Sequence, residues 1–308
     1  MARKDLSIAI VSYKTKKLLR ECLSSIFSEN RHINIEVFVA DNCSNDGTVE
    51  MLQGEFPDVI LIANNNNIGF AAASNQGLSA ASGRYIMMLN PDTLIIDNAL
   101  ERLVAFLDGH NNVDIVAPRL LNADGSLQKS CRSFPNILNM SLLYLFPFVN
   151  LNLPKPAKYL TDFWDHGMST YVDYAIGAAL VLRKKCVEDI GYLDEKFFVY
   201  GEEKDYCYRL NQKGYRVYYL SNVDIIHYGG QSSAVNAHSL LYLHQSHIYY
   251  INKHSGYFTG SLIKLILLLG VFCRAFLSIV RNNANKAAYK SLMSWYMNNI
   301  SNLYVKKT

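Results

Sequence analysis

Three carboxylates fall within four residues in Gly201-Glu-Glu-Lys-Asp205, directly after the aromatic run Phe197-Phe-Val-Tyr200. Like charges this close repel one another and raise proton affinity, which suits a general base that takes a proton from an alcohol. An acidic helix N-terminus stabilised by the macrodipole has the same composition, and charge pattern alone favours that second reading. A further acid, Asp92 in Asn90-Pro-Asp-Thr93, follows the apolar run Tyr85-Ile-Met-Met-Leu89 and so projects from a strand end. A hard divalent cation bridging a diphosphate needs one or two protein carboxylates, because water and phosphate oxygens supply its other ligands. Asn-Pro-Asp is equally a turn and helix cap, and Asp41, at another strand end, carries the same two readings. His227, in Ile225-Ile-His-Tyr-Gly-Gly230, completes the set as a metal ligand or phosphate donor, or as a structural histidine. His238, His244, His247 and His254 fall in a helical stretch without an HExxH arrangement and read as surface or packing residues.

Such groups need a scaffold that brings strand ends together. The chain has 308 residues, 50% hydrophobic and 18% charged, which excludes a disordered tail, a collagen-like repeat or a disulfide-stapled mini-fold. Short β-branched runs at 7–12, 36–40, 59–63, 85–89 and 115–117 alternate with helical patterns, as βαβ units do. Apolar residues at Leu18, Leu19, Cys22, Leu23, Ile26 and Phe27 give the first helix a sheet-facing side. The turn-rich clusters 42–48 and 64–69 follow strands, and loops at carboxyl strand ends form the ligand crevice of open α/β sheets. Four prolines between 131 and 164 mark a loop-rich insertion, after which strands at 171–182 and 216–220 flank a helix at 203–213.

A net charge of +4 suits small anionic ligands or a lipid surface and is far weaker than a nucleic-acid-coating stripe, so no nucleic-acid partner is expected. Six irregularly spaced cysteines and an N-terminus without an apolar h-region give the expectation of a reduced, cytoplasmic protein. Residues 262–280 are almost wholly apolar apart from Lys264 and Arg274. They read as a basic amphipathic helix lying among lipid headgroups, with a buried or oligomer helix and a membrane span as competing readings. A nucleotide-binding oxidoreductase lacks its Gly-x-Gly-x-x-Gly, and a glycosidase is suggested by nothing beyond the carboxylates themselves.

Seven motifs stand in order: Val11-Ser-Tyr-Lys14, Asp41-Asn-Cys-Ser-Asn-Asp-Gly-Thr48, Asn67-Ile-Gly-Phe-Ala-Ala-Ala-Ser-Asn-Gln-Gly77, Leu89-Asn-Pro-Asp-Thr93, Gly177-Ala-Ala, the run from Phe198 to Arg209, and His227-Tyr-Gly-Gly230. Together they resemble the inverting nucleotide-sugar glycosyltransferases of family 2, and within them the rhamnosyltransferase branch of surface-polysaccharide assembly. The resemblance spans about residues 6–255 and implies an α/β GT-A fold: a mixed, mostly parallel central sheet flanked by helices. It further implies a donor half near 1–118, an acceptor half near 119–255 and a membrane-associating helical extension over 256–308.

Carried over by position, the resemblance gives Tyr13 and Asp41 to the nucleobase and Asn67, Gly69 and Asn75 to the donor pocket. Asp92 matches the second acid of the Asp-x-Asp metal motif, with Asn90 in place of the first; His227 completes Mg2+ or Mn2+ and diphosphate binding. Glu203 takes the position of the family base, usually Asp, with Glu202 and Asp205 orienting it or the acceptor, and Gly177 and Ala178 let the acceptor approach. The implied reaction moves a sugar, rhamnose by branch resemblance, from a nucleoside diphosphate to a saccharide or polyprenyl-diphosphate-linked acceptor at the inner membrane face. A sugar-nucleotide-binding scaffold without catalysis is the alternative. Arg119 and Arg132 are candidates for phosphate contact, with surface ion pairs as the favoured reading.

Overall fold

The computed structural model describes residues 4–29, 32–146, 160–229, 237–280 and 286–299. Its strands are β1 (Leu6–Ser12), β2 (Ile35–Asp41), β3 (Ile60–Ala63), β4 (Tyr85–Leu89), β5 (Thr93–Ile95), β6 (Ile115–Leu121), β7 (Leu127–Gln128), β8 (Cys131–Arg132), β9 (Thr170–Val172), β10 (Tyr174–Ala175), β11 (Ala179–Arg183) and β12 (Val217–His227). The helices are α1 (Lys16–Glu29), α2 (Thr48–Glu55), α3 (Phe70–Ala80), α4 (Ala99–Gly109), α5 (Ile137–Leu145), α6 (Lys184–Ile190), α7 (Glu202–Gln212), α8 (Ala237–His254), α9 (Tyr257–Val280) and α10 (Lys286–Asn298).

The main sheet runs β3-β2-β1-β4-β11-β6-β12-β5. Strands β1 to β4 are parallel; β11 enters antiparallel between β4 and β6, while β6 and β12 run parallel to each other. Alternation along the strands divides the interior. Ile8 and Ile10 of β1 and Met87 of β4 pack with Leu19, Leu23 and Ile26 of α1 and Leu103 of α4. Ala9, Ile86 and Met88 face the other way, toward α3, α6 and α7, where Leu78, Cys186, Tyr206 and Leu210 are buried. Both faces are therefore covered, which explains why the central strands read as continuous apolar runs.

Several expected elements change on folding. The 171–182 run divides into β9, β10 and β11, and the 216–220 strand continues to His227 past a register shift between Leu220 and Asp224. The insertion after residue 131 holds β8 and α5, whose start is closed by reciprocal hydrogen bonds between Asn136 and Asn139; residues 147–159 lie outside the described residues. Strand β5 is a three-residue element that sequence periodicity does not register.

The C-terminal helices share a core with the residues before them. Met140 of α5 and Ile248 and Ile251 of α8 pack with Ile263, Leu267 and Val271 of α9 and with Leu292 and Tyr296 of α10. Helix α9 is long and apolar enough to cross a membrane, yet 44% of its most apolar window is buried inside the protein. Its basic residues correct the headgroup picture: Lys264 is buried and donates to Asn252 Oδ1 at 3.0 Å, and Arg274 donates to the Leu143 carbonyl while stacking over Tyr144. Both cations face protein. The exposed face is apolar instead, carrying Phe258, Leu265, Leu269, Phe272, Phe276 and Ile279.

Candidate active site

A cavity of about 800 Å³ opens at the carboxyl ends of β1 and β4 and extends beneath α5 and α8. At one end, strand register fixes the groups. The Asn90 N–H donates to the Ala178 carbonyl and Thr93 Oγ1 donates to the Asn90 carbonyl, so the Asn-Pro-Asp-Thr turn is rigid. Strand β5 then pairs antiparallel with β12, setting His227 opposite Thr93, and Tyr228 N–H donates to the Asp92 carbonyl. This pairing places His227 Nε2 3.3 Å from Asp92 Oδ1 and 3.3 Å from Asn90 Nδ2, with Asp92 5% exposed.

Gln128 sets the imidazole. Its amide nitrogen donates to Asn122 Oδ1 and to the His227 carbonyl, so its oxygen, 2.6 Å from His227 Nδ1, accepts the Nδ1–H. With Nδ1 committed to Gln128, Nε2 is the ring nitrogen that faces Asp92. Among the described residues no three His, Cys, Asp or Glu side chains cluster as a ready-made metal cage. One carboxylate and one oriented imidazole fit a hard cation that draws its remaining ligands from diphosphate and water.

At the other end stands the first turn of α7. Tyr200 and Gly201 both take positive φ, turning the chain sharply into the helix, and Glu203 Oε2 accepts the Gly201 N–H at 3.0 Å. Gly177 backs onto Glu203: a Cβ there would lie 3.3 Å from the Glu203 Cβ, so the glycine lets the helix start seat against the strand. Glu202 is buried and its Oε2 has no hydrogen-bond partner. Burial pushes both carboxyls above the ordinary range; the neighbouring Glu203 charge adds to this at Glu202, while Lys204 partly offsets it at Glu203. Glu203 is half-buried and lines the cavity, where an acceptor hydroxyl can reach it.

The turn at Gly69 joins the two ends. Asn67 Oδ1 accepts the Gly69 N–H, and the Phe70 N–H donates to the Phe198 carbonyl. Gly69 has φ near +88°, and a Cβ there would meet Phe198 at 2.8 Å.

The cavity thus gathers Tyr13, Asn67, Gly69, Asn90, Asp92, Gly177, Ala178, Glu202, Glu203 and His227 from the expected set. Three others stand outside its lining. The Asp41 carboxylate closes its own loop, accepting Ser44 N–H and Oγ–H. Asn75 clamps 193–195, donating to the Leu193 carbonyl and Glu195 and accepting Leu193 N–H. Asp205 joins α7 to α8; burial raises its pKa, but hydrogen bonds from His254, Lys253 and Arg209 hold it down to about 2. Arg119 pairs with Asp224, as expected of an ion-pair residue.

Two groups that line the cavity, Lys204 and Tyr242, had no role in the sequence reading, and Arg132 and His247, read there as ion-pair and packing residues, line it as well. A lysine inside an acidic first turn was a visible signal. Gln128, 99 residues from His227, offered none.

The Glycosyl transferase family 2 profile matches residues 7–172, more than half of the chain. The N-acetylglucosaminyl-diphospho-decaprenol L-rhamnosyltransferase of Mycobacterium tuberculosis is 23% identical over 271 residues, covering 83% of this chain and 87% of its own. Rhamnosyltransferase WbbL of Escherichia coli is 23% identical over 231 residues, covering 72% of this chain and 82% of its own. Among solved structures, the mannosyltransferase PcManGT from Pyrobaculum calidifontis, in complex with GDP-Man and Mn2+, superposes with a TM-score of 0.56 at 14% identity, covering all of this chain and 89% of that one. That likeness shows the fold, with its mixed, mostly parallel sheet between helices and its C-terminal helices. On the family match and this architecture, the chain belongs to glycosyl transferase family 2, as a glycosyltransferase of GT-A fold in its rhamnosyltransferase-like branch.

Proposed function

We propose that this glycosyltransferase moves a hexose, rhamnose by its relatives, from a nucleoside diphosphate to a hydroxyl of a polyprenyl-diphosphate-linked saccharide, by direct displacement with inversion. The observation that carries the reading is that Asp92, His227 and Glu203 line one cavity. The diphosphate end of the donor lies at Asp92 and His227, with Tyr13, Asn67 and Gly69 along the nucleoside. A bound Mg2+ or Mn2+, held by Asp92 and His227, supplies charge neutralisation for the departing diphosphate. Glu203 takes the proton of the acceptor hydroxyl as its oxygen attacks the anomeric carbon, and the bond from that carbon to the diphosphate oxygen breaks. Asn90 holds the His227 edge of the site, and Glu202 lies buried beside the base at the start of the same helix. Gly177 and Ala178 leave room for the acceptor.

A half-buried Glu203 open to the cavity supports catalysis over a binding scaffold. Lipid attachment is supported by the apolar face of α9, which joins the cavity through α5: Leu143 and Tyr144 line the cavity and contact Arg274 and Gly270 of α9. In this reading α9 lies on the inner membrane face by apolar burial, and its cations brace the protein beneath. The six free cysteines agree with a reducing compartment.

Thermal shift with a panel of nucleotide sugars, with and without Mn2+, tests the donor reading. One nucleotide at about 100 times its Kd should stabilise the fold by ~2.7 kcal/mol, and Asp92→Ala should remove the metal-dependent part. No shift from any nucleotide would contradict it.

A further inference from the structure

Lys204 takes no part in the chemistry above, although it stands beside the base. It is 2% exposed, lines the cavity, and makes no hydrogen bond or ion pair among the described residues. The ring of Tyr250, 4.6 Å from Nζ, covers one side. A buried ammonium loses hydration that one aromatic face restores only in part. Burial draws its pKa down to about 8 against the pull of Glu203, Glu202 and Asp205, so it is mostly charged near neutrality.

The neighbouring acids do not close around it. Glu203 Oε2 is engaged by the Gly201 N–H, and Glu202 Oε2 is itself unpaired. A second cation lines the same cavity: Arg132 Nε is 3.9 Å from the Asp162 carboxylate, beyond hydrogen-bonding distance. Beyond these cations the cavity wall turns apolar along Met140, Leu143 and Tyr144 of α5 and Tyr242 and Leu243 of α8. An unpaired buried ammonium and a loosely paired guanidinium in one cavity, followed by an apolar wall, match a ligand with a phosphate head and a hydrocarbon tail.

We infer that Lys204, with Arg132 in the same cavity, anchors the phosphate of a lipid-linked acceptor whose hydrocarbon runs along α5 and α8. This rests on the acceptor class proposed above and gives it a place in the cavity. Lys204 is a positioning residue: it holds the acceptor so that its sugar hydroxyl meets Glu203, and no proton or bond passes through it.

Equilibrium titrations of the purified full chain with farnesyl diphosphate, inorganic diphosphate and a neutral farnesyl glucoside test the assignment. Wild type should bind farnesyl diphosphate roughly tenfold more tightly than the glucoside, the scale of one charge-assisted hydrogen bond. Lys204→Met should erase that preference, Lys204→Arg should keep it, and nucleoside diphosphate binding, which depends on Asp92, should not change. In turnover, Lys204→Met should raise the acceptor KM and, because the Lys204 charge also holds the Glu203 pKa down, move the acid limb of the rate upward in pH; above that limb the KM effect should exceed the kcat effect. Methionine removes a buried charge at similar volume, so an unchanged or higher Tm is the accompanying sign of a folded variant.

Farnesyl diphosphate preference retained in Lys204→Met overturns the inference. So does a parallel fall in nucleoside diphosphate binding, which would give Lys204 to the donor, or equal Lys204-dependent binding of inorganic diphosphate, which would make the anion a free one. Failure of the transferase reading shows separately, as no sugar transfer by wild type to any saccharide diphosphate lipid, and these titrations do not depend on it.

Discussion

The two ends of the cavity hold their charged groups by different means. At the proposed donor end the groups around Asp92 are tied: Asn90 to Ala178 and Thr93, His227 to Gln128, and the Asp92 backbone to Tyr228. Two strands of fixed register put them there. At the other end, Glu202, Glu203 and Lys204 sit on the first turn of a helix with few hydrogen bonds and much burial. Binding a diphosphate calls for pre-set geometry, whereas taking a proton from an alcohol calls for raised proton affinity, and desolvation supplies it. The fold thus separates a positional end from an electrostatic one.

Removing the proposed base sharpens this contrast most. Glu203→Gln should lower turnover about 10²–10⁴-fold, the usual contribution of a positioned general base. Because burial holds the Glu203 pKa up, the acid limb of kcat/KM should fall as pH drops through a midpoint above the ordinary glutamate value of ~4.3. A limb at the ordinary value would break the electrostatic side of the comparison.

At the donor end, Gln128→Leu removes the acceptor of the His227 Nδ1–H without touching a ligand. Metal-dependent donor affinity should fall by about 10–100-fold, as for other partners that orient a ligating imidazole. Titration of the nucleotide with and without Mn2+ reads this, and a loss equal in both conditions would show that Gln128 acts on folding alone.

The smallest effect concerns stability. The folded pKa of Glu202 lies above its unfolded one, so its favourable contribution is present below the unfolded pKa and is lost as pH rises through the folded one. Glu202→Gln, which keeps the shape without the ionisable proton, should therefore raise Tm as pH rises, and the gain should shrink in acid. Melting curves across pH check the sign.

Much of this was legible in the residues. The runs before Asp92 and Glu203 marked them as strand-end and helix-start positions, and turn clusters located the cavity rim. Other features depend on tertiary pairing. Strand β5 exists because β12 accepts it, and without it the approach of His227 to Asp92 has no visible cause. Turn-forming and ligand-binding side chains are the same types, so the partners that Asp41 and Asn75 take, Ser44 and Leu193, could not be read from the sequence. Lys264 and Arg274 suggested a headgroup-facing stripe, but α9 is apolar nearly all round, so the buried face was decided by packing on α5 and α8.

Donor binding and turnover measured side by side on Asp92→Ala and Glu203→Gln test the division most directly. The account predicts that Asp92→Ala loses metal-dependent donor binding, while Glu203→Gln binds donor like wild type and loses turnover by about 100-fold or more. If both variants lose binding and turnover together, or if Glu203→Gln turns over like wild type, the two ends are not the separate devices described.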